Sequence, residues 1–420
     1  MRVLIVTVGS WGDVAPYTGL GQRLAGAGHT VALATHARFE AAVTACGLGF
    51  RPLPVDPRDE LASPDGQGLA RAAGPAMEMA RMARLARTFM PRLAQGIADA
   101  VRAAPVDALL AATLAEPVCH VLGDALDLPV VGAYLQPVTP TAGHPPLVAS
   151  TRSLGAPANR LAGHLLRAAA EPLFAPAVAA LRRELGLPRR VLSGPLALPR
   201  ARTVVHGFSP RVVPRPADWP AGHRAEGYWW PAGPGPDWRP DPRLADFLDA
   251  GPPPVFLGFG SFVTTDAERL SRLLARACRL ARVRGVIQAG WSGLHAEGPD
   301  LLTVAEVPHS WLFPRTAAVV HHAGAGTTAA GLRAGVPAVP VPVQLDQHFW
   351  AARLTALGAA PRPVPYRRLT AEALAAALRA AVTEPGHRAR ARSLAAALAG
   401  EDGARPVLAA VDRLARGRPG

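Results

Sequence analysis

The run His321-His322-Ala323-Gly324-Ala325-Gly326-Thr327-Thr328 follows a short apolar stretch and opens a helical pattern. Glycines there let a backbone approach a ligand closely. A helix N-terminus adds unpaired N–H groups and the positive end of a dipole, a combination that suits phosphate. No Gly-Lys-Ser/Thr follows, so the turn is not a P-loop. Its place after a late strand of the second half also excludes the dinucleotide GxGxxG fingerprint. A second reactive group lies near the N-terminus. Gly12-Asp13 follows the first apolar run, 3–8, which puts Asp13 at the carboxyl edge of a strand. A carboxylate there can take a proton from a substrate hydroxyl. The structural alternative is an N-cap for the helix after Pro16.

Strands alternating with helices must position these groups. Short apolar runs at 3–8, 31–34, 107–110, 129–133 and 203–206 read as strands, with a long helical region at about 69–103. A second series follows at 255–258, 286–288, 301–304, 317–320 and 337–340, with a helix from about Asp266 and a helical tail after Thr370. Such alternation implies parallel βαβ units. Between the series lies a Pro-rich stretch with Trp219, Trp229, Trp230 and Trp238 and no clear period. The expected class is α/β, with two Rossmann-like domains facing each other across a cleft. The expected limits are an N-terminal domain 1–215, a linker 216–253, a C-terminal domain 254–400 and a terminal helix 401–420. A Pro/Trp linker between independent cores leaves the halves able to close on a ligand.

The chain has 420 residues, of which 49% are hydrophobic and 18% charged, which excludes global disorder. The net charge of +14 raises the question of nucleic acid. Every basic residue is Arg, none is Lys, and Asn159 is the single Asn. That bias, with abundant Ala, Gly and Pro, marks a GC-rich coding composition. The arginines are scattered, and no nucleic-acid motif accompanies them. Cys46, Cys119 and Cys278 are far apart and form no CxxC, which fits a reducing, cytoplasmic setting. No run of about 18 apolar residues indicates a membrane span. Peripheral membrane contact stays open.

A wider block carries a resemblance. It reads Val307-Pro308-His309-Ser310-Trp311-Leu312-Phe313-Pro314, the His/Gly turn, Gly331-Leu332-Arg333-Ala334-Gly335-Val336-Pro337, then Asp346-Gln347. The chain resembles the GT-B UDP-glycosyltransferase superfamily, nearest to bacterial and fungal sterol glucosyltransferases and related natural-product glycosyltransferases. The loop Gly9-Ser10-Trp11-Gly12-Asp13-Val14-Ala15-Pro16 and the stretch Pro137-Val138-Thr139-Pro140-Thr141 are similar to N-terminal motifs of that group. The resemblance implies Asp13 as catalytic base. It implies a donor set of Ser10, Gly260, Ser261, His309, Trp311, His322, Gly324, Gly326, Thr327, Asp346 and Gln347. In that set Trp311 would stack near the nucleobase, or else pack in the core behind Leu312 and Phe313. His322 would contact the diphosphate, whereas His321 finishes the strand. Asp346 and Gln347 would take sugar hydroxyls, with an N-cap as the alternative for Asp346. Plant relatives carry a ribose-binding Glu where this chain has Ala330.

The implied reaction is inverting, metal-independent transfer of a hexose from a nucleotide sugar. UDP-glucose is the leading donor and a TDP-deoxysugar the alternative. No cofactor and no metal ligand set are expected. Met77, Phe89, Met90, Tyr134, Gln136 and His144 are the acceptor candidates, in a Met/Phe-bearing segment and a loop that would suit a bulky apolar acceptor such as a sterol or natural-product aglycone. Glu116 and His144 stand next in line as base. More distant readings are a nucleotide-sugar 2-epimerase, separated by whether an acceptor is required, and a catalytically silent auxiliary protein.

Overall fold

Val3, Leu4, Ile5 and Val6 are buried in succession, as expected of a strand covered on both faces, and form β1 (Arg2–Val6). The computed structural model describes residues 1–62, 75–148, 151–188, 203–235, 237–264 and 266–417. After β1 come β2 (Thr30–His36), β3 (Gly49–Leu53), β4 (Ala108–Ala111), β5 (Val130–Tyr134), β6 (Val204–His206) and β7 (His223–Ala225). They form one parallel sheet in the order β3-β2-β1-β4-β5-β6-β7. The second half builds β8 (Val255–Gly258), β9 (Gly285–Gln288), β10 (Leu301–Val304), β11 (Ala318–His321) and β12 (Ala338–Pro340) in the order β10-β9-β8-β11-β12. Ala/Leu-rich helices cover the sheets. Helix Ala267–Ala281 starts at Asp266, whose side chain accepts from the Arg269 N–H at 3.0 Å.

Strand order reverses between β1 and β4 in the first sheet and between β8 and β11 in the second. In open parallel sheets such switch points open a crevice beyond the strand C-termini. The helices that follow β1 and β4 carry Asp13 and Glu116 in their first turns. The loops after β8 and β11 carry Gly260-Ser261 and His322. Two topologies thus aim four connections at one cleft.

The stretch 216–253 is not a simple linker. It contributes β7 to the first sheet and folds helix Pro242–Asp249. Trp219 and Trp229 are both 3% exposed. Trp219 stacks on His206 at 4.4 Å, and Trp229 packs 5.5 Å from Tyr17. β7 extends the first domain beyond the expected end at 215. β3 was also hidden, because Arg51 and Pro52 interrupt its pattern. Both β3 and β7 are edge strands, where polar residues and Pro are tolerated.

Residues 401–417 also belong with the N-terminal half. Ala404, Val407 and Val411, at and within helix Arg405–Arg416, are buried in the same core as Val3, Ile5 and Leu20. Arg23 pairs with Asp402 at 2.8 Å. The outgoing and returning chains touch: a Cβ added at Gly403 would lie 2.3 Å from the Gly227 carbonyl oxygen. The Trp229 indole N–H donates to the Gly403 carbonyl at 2.8 Å beside that crossing.

Candidate active site

A cavity of about 2650 Å³ runs between the halves. On the C-terminal side, β11 ends at fully buried His321, whose Nδ1 accepts the Ala323 N–H at 3.1 Å. This bond holds Ala323 at φ 63°, a left-handed conformation that is costly for a residue with a Cβ. The bend places Gly324 at the N-cap of helix Ala325–Ala334, with no side-chain cap. The first N–H groups of that helix have no intrahelical acceptor, and Ala325, Gly326 and Thr327 line the cavity.

The His322 ring lies between two glycines. An added Cβ would fall 2.5 Å from its Nε2 at Gly324 and 3.0 Å from its Cε1 at Gly260. Burial pushes the imidazole down to about 4, so it is neutral at pH 7. Its Nδ1 has no hydrogen-bond partner among the described residues. Ser261 and His309 also line the cavity. His309 stacks on Phe313 at 4.3 Å, and burial lowers it to about 4.

Trp311 is the exception in the expected donor set. It does not line the cavity. Its ring packs under the Arg315 guanidinium at 4.4 Å and against Trp238 at 5.4 Å. His309 and Trp311 are two residues apart in the one-turn helix His309–Leu312, which places them on opposite faces.

Asp346 and Gln347 face the cavity from the start of helix Gln347–Ala356. Asp346 does not cap that helix with its side chain. Its Oδ2 accepts the Trp350 indole N–H at 2.8 Å. Burial raises the Asp346 carboxyl to about 6 against that hydrogen bond, and the Asp13 charge adds to the rise. The Gln347 carbonyl accepts the backbone N–H groups of Val343 and Gln344 at 2.8 and 3.1 Å. Its amide N–H₂ is thereby left to face a ligand.

A folded-state pKa of about 6 against an ordinary 3.8 means that folding disfavours the Asp346 charge. That penalty is present above pH 6 and vanishes toward pH 4. Asp346→Asn keeps an acceptor for Trp350 and removes the charge. The variant is expected to unfold at a higher temperature than wild type at pH 7.5, with a smaller gain at pH 5. Calorimetry showing no gain at pH 7.5 would overturn this reading.

Across the cleft, Ser10 and not Asp13 is the N-cap of helix Trp11–Gly26. Asp13 Oδ2 accepts the Ser10 N–H at 2.9 Å and the Ser10 Oγ–H at 3.0 Å. Ser10 therefore orients the carboxylate as well as lining the cavity. Desolvation raises the Asp13 carboxyl above its ordinary range, opposed by hydrogen bonds from Ser10 and Gln136. A Cβ added at Gly326 would lie 3.6 Å from the Gly12 carbonyl oxygen. The phosphate-type turn and the Asp13 loop thus meet at van der Waals distance.

Phe89, Met90, Tyr134, Gln136 and His144 line the N-terminal part of the cavity. Met77 lies in helix Pro75–Arg102, but its side chain falls outside the described residues. Sequence reasoning missed His120, whose Nε2 lies 3.2 Å from Glu116 Oε1. Burial would raise the Glu116 carboxyl, but the His120 hydrogen bond and charge, helped by Tyr134 and Arg167, hold it below its ordinary value. The i,i+4 spacing of Glu116 and His120 on a helix at the sheet's carboxyl edge was the available signal. Helix Ala156–Glu184, also missed, adds Leu166, Leu173 and Phe174 to the apolar wall. No helix among the described residues is long and apolar enough to cross a membrane.

Known proteins resemble this chain in sequence and in fold. The chain is 38% identical over 429 residues to O-mycaminosyltylonolide 6-deoxyallosyltransferase of Streptomyces fradiae, covering 100% of this chain and 98% of that relative. The chain belongs to the GT-B glycosyltransferases. Residues 3–122 of this glycosyltransferase match the glycosyltransferase family 28 N-terminal domain. Residues 286–413 match the erythromycin biosynthesis protein CIII-like C-terminal domain. A sterol 3-beta-glucosyltransferase of Arabidopsis thaliana is 33% identical over 96% of the chain, which spans 64% of that longer protein. The fold matches that of the calicheamicin glycosyltransferase (TM-score 0.68, 17% identity, covering 100% of this chain and 99% of that one). It also matches a glycosyltransferase solved with DTDP (TM-score 0.68, 20% identity, covering 99% and 100%). The protein is a glycosyltransferase of the natural-product and sterol type, with two parallel-sheet Rossmann-like domains.

Proposed function

We propose that this glycosyltransferase moves a hexosyl group, with inversion, from a nucleoside diphosphate sugar onto a hydroxyl of a bulky apolar acceptor. The observation that carries the reading is the approach of Gly326 to Gly12, which brings the helix start bearing Asp13 up to a phosphate-type turn in one cavity. Asp13 takes the acceptor hydroxyl's proton as that oxygen attacks C1. The bond from C1 to the diphosphate oxygen breaks on the opposite face. The leaving negative charge is met by the helix N-terminus at 325–327 and a hydrogen bond from His322. Nothing in this sequence of steps calls for a metal ion or a cofactor. Gln347 and Asp346 hold the sugar hydroxyls.

We favour a thymidine diphosphate 6-deoxyhexose as donor and a macrolide-sized acceptor. Ala330 lines the cavity where a ribose-binding carboxylate would be expected, and Ala329 and Ala334 lie beside it. A 2′-deoxynucleoside asks less of such a wall than a ribose diol does. The 38% relative is named for 6-deoxyallosyl transfer to a mycaminosylated tylonolide. A cavity this large, walled by Phe89, Leu114, Leu147, Leu166 and Phe174, accommodates such an acceptor. The second reading, glucose from UDP-glucose onto a sterol, is favoured by the 33% relative.

The test is a mass-spectrometric panel of TDP-6-deoxyhexoses and UDP-glucose against macrolactones and sterols. A deoxyhexose mass added to a macrolactone is the expected product. Product from UDP-glucose and sterol alone would install the second reading. Donor conversion without any acceptor would overturn both.

A further inference from the structure

Trp291 belongs to the C-terminal half, yet two arginines of the N-terminal half lie over its ring. The Arg38 guanidinium carbon is 5.4 Å from the ring centroid and that of Arg58 is 5.6 Å. Both distances fall within the roughly 6 Å over which a cation is drawn to an aromatic face. Trp291 is fastened in turn to the phosphate side of the cleft. Its backbone N–H donates to the Gly260 carbonyl at 3.0 Å. Gly290 and Gly260 both take left-handed conformations, φ 57° and 56°, and pack so closely that a Cβ on Gly290 would lie 2.8 Å from the Gly260 oxygen. Gly260 in turn abuts His322. Arg38, Arg58, Trp291, Gly260 and His322 all line the same cavity.

The charges there are uneven. His309, His321 and His322 are held neutral by burial and supply no cation for a diphosphate. Arg333, on the helix behind the turn, lies over Trp230 at 4.5 Å. Arg38 is paired with Asp56 at 3.2 Å. Arg58 makes no ion pair among the described residues, and Asp56 holds only its backbone N–H, at 2.9 Å.

We propose that Arg38 and Arg58 are donor-positioning residues: they clamp Trp291, steady the Gly260–Ser261 turn, and bring the cationic charge of the N-terminal half to the donor's diphosphate. The clamp rests on the reading of the donor as a nucleoside diphosphate sugar. It makes donor capture a task shared by both halves, with the ring of Trp291 as the point of contact.

The test measures TDP and UDP binding by calorimetry, and donor and acceptor KM, for wild type, the double variant Arg38→Met/Arg58→Met and the double variant Arg38→Lys/Arg58→Lys. The Met pair is expected to bind the nucleotide about tenfold more weakly, the scale of one contact to a charged group. Its donor KM should rise in step, its acceptor KM and unfolding midpoint should hold, and its salt dependence should be shallower. The Lys pair, which keeps charge and ring contact, should recover most of the loss. Wild-type nucleotide affinity in the Met pair would overturn the clamp alone. So would an equal rise in acceptor KM, which marks general damage. If wild type binds neither TDP nor UDP, the donor reading itself falls, and the clamp with it.

Discussion

Asp13→Asn is expected to lose turnover by about 10²–10⁴-fold, the usual worth of a general base, while nucleotide affinity and unfolding midpoint stay at wild-type values. The substitution is close to isosteric. An Asn Oδ1 still accepts the two Ser10 donors that hold Asp13 at 2.9 and 3.0 Å. Asp13 is the N3 side of a capping box with Ser10, and the Asn amide oxygen can still accept the Ser10 backbone N–H there. The bond from Thr7 Oγ1 to the residue 13 carbonyl, 2.8 Å, is a backbone contact and survives. What disappears is the proton acceptor beside the phosphate turn. A pH profile gives a second readout. Burial raises the Asp13 carboxyl above its ordinary range, so wild-type kcat should fall toward acid pH as that group protonates. The residual activity of the variant should lose the part of that limb due to Asp13 and keep only the titration of Asp346, near 6. Near wild-type turnover in Asp13→Asn would transfer the role to the Glu116–His120 pair.

His322→Ala and His321→Ala should part company. A hydrogen bond to a charged group contributes about 1.5–3 kcal/mol, or roughly ten- to a hundredfold in donor affinity. His322→Ala should therefore raise donor KM and weaken TDP binding by that factor, with the fold intact. His321 is fully buried, and its Nδ1 satisfies the N–H of Ala323 at the strained bend. Its loss leaves that buried donor unpaired, at a cost of about 1–3 kcal/mol, and should register first as a lower unfolding midpoint. Kinetics and thermal unfolding on both variants decide the matter. Equal kinetic losses with unchanged unfolding would show that the two rings had been assigned the wrong way round.

The glycine-rich turn between β11 and helix Ala325–Ala334 was legible because its signals are local. Gly324 and Gly326 mark the close approach, and the preceding aliphatic run marks the strand that presents it. The place of Asp13 at the cavity was legible for the same reason, in the first turn of the helix after β1. Strands buried on both faces, such as β1 and β11, read directly as unbroken apolar runs. β3 and β7 did not, since edge strands need no such run and theirs contain Pro52, His223 and Arg224. Trp311 was misplaced because composition does not report how a one-turn helix is rotated: His309 took the cavity face and left Trp311 on the other. Trp219 and Trp229 seemed to mark a linker because Pro-rich backbone has no period, although the rings sit deep in cores. Contacts between residues far apart in the chain, such as Trp229 with Gly403, 174 positions on, leave no local trace.

The crossing at Gly227 and Gly403 has a consequence for exchanging parts between enzymes of this fold. The N-terminal unit is discontinuous in sequence: its sheet ends with β7 at Ala225, and the segment that begins at Ala404 returns to its core. A recombinant swap made at a single joint in the Pro/Trp segment would import a foreign terminal helix onto the native sheet. It would set unmatched side chains against Val3, Ile5 and Leu20. A clean exchange needs two joints, one before Gly227 and one at Gly403, so that the C-terminal unit leaves as an insert and both pieces of its host stay together.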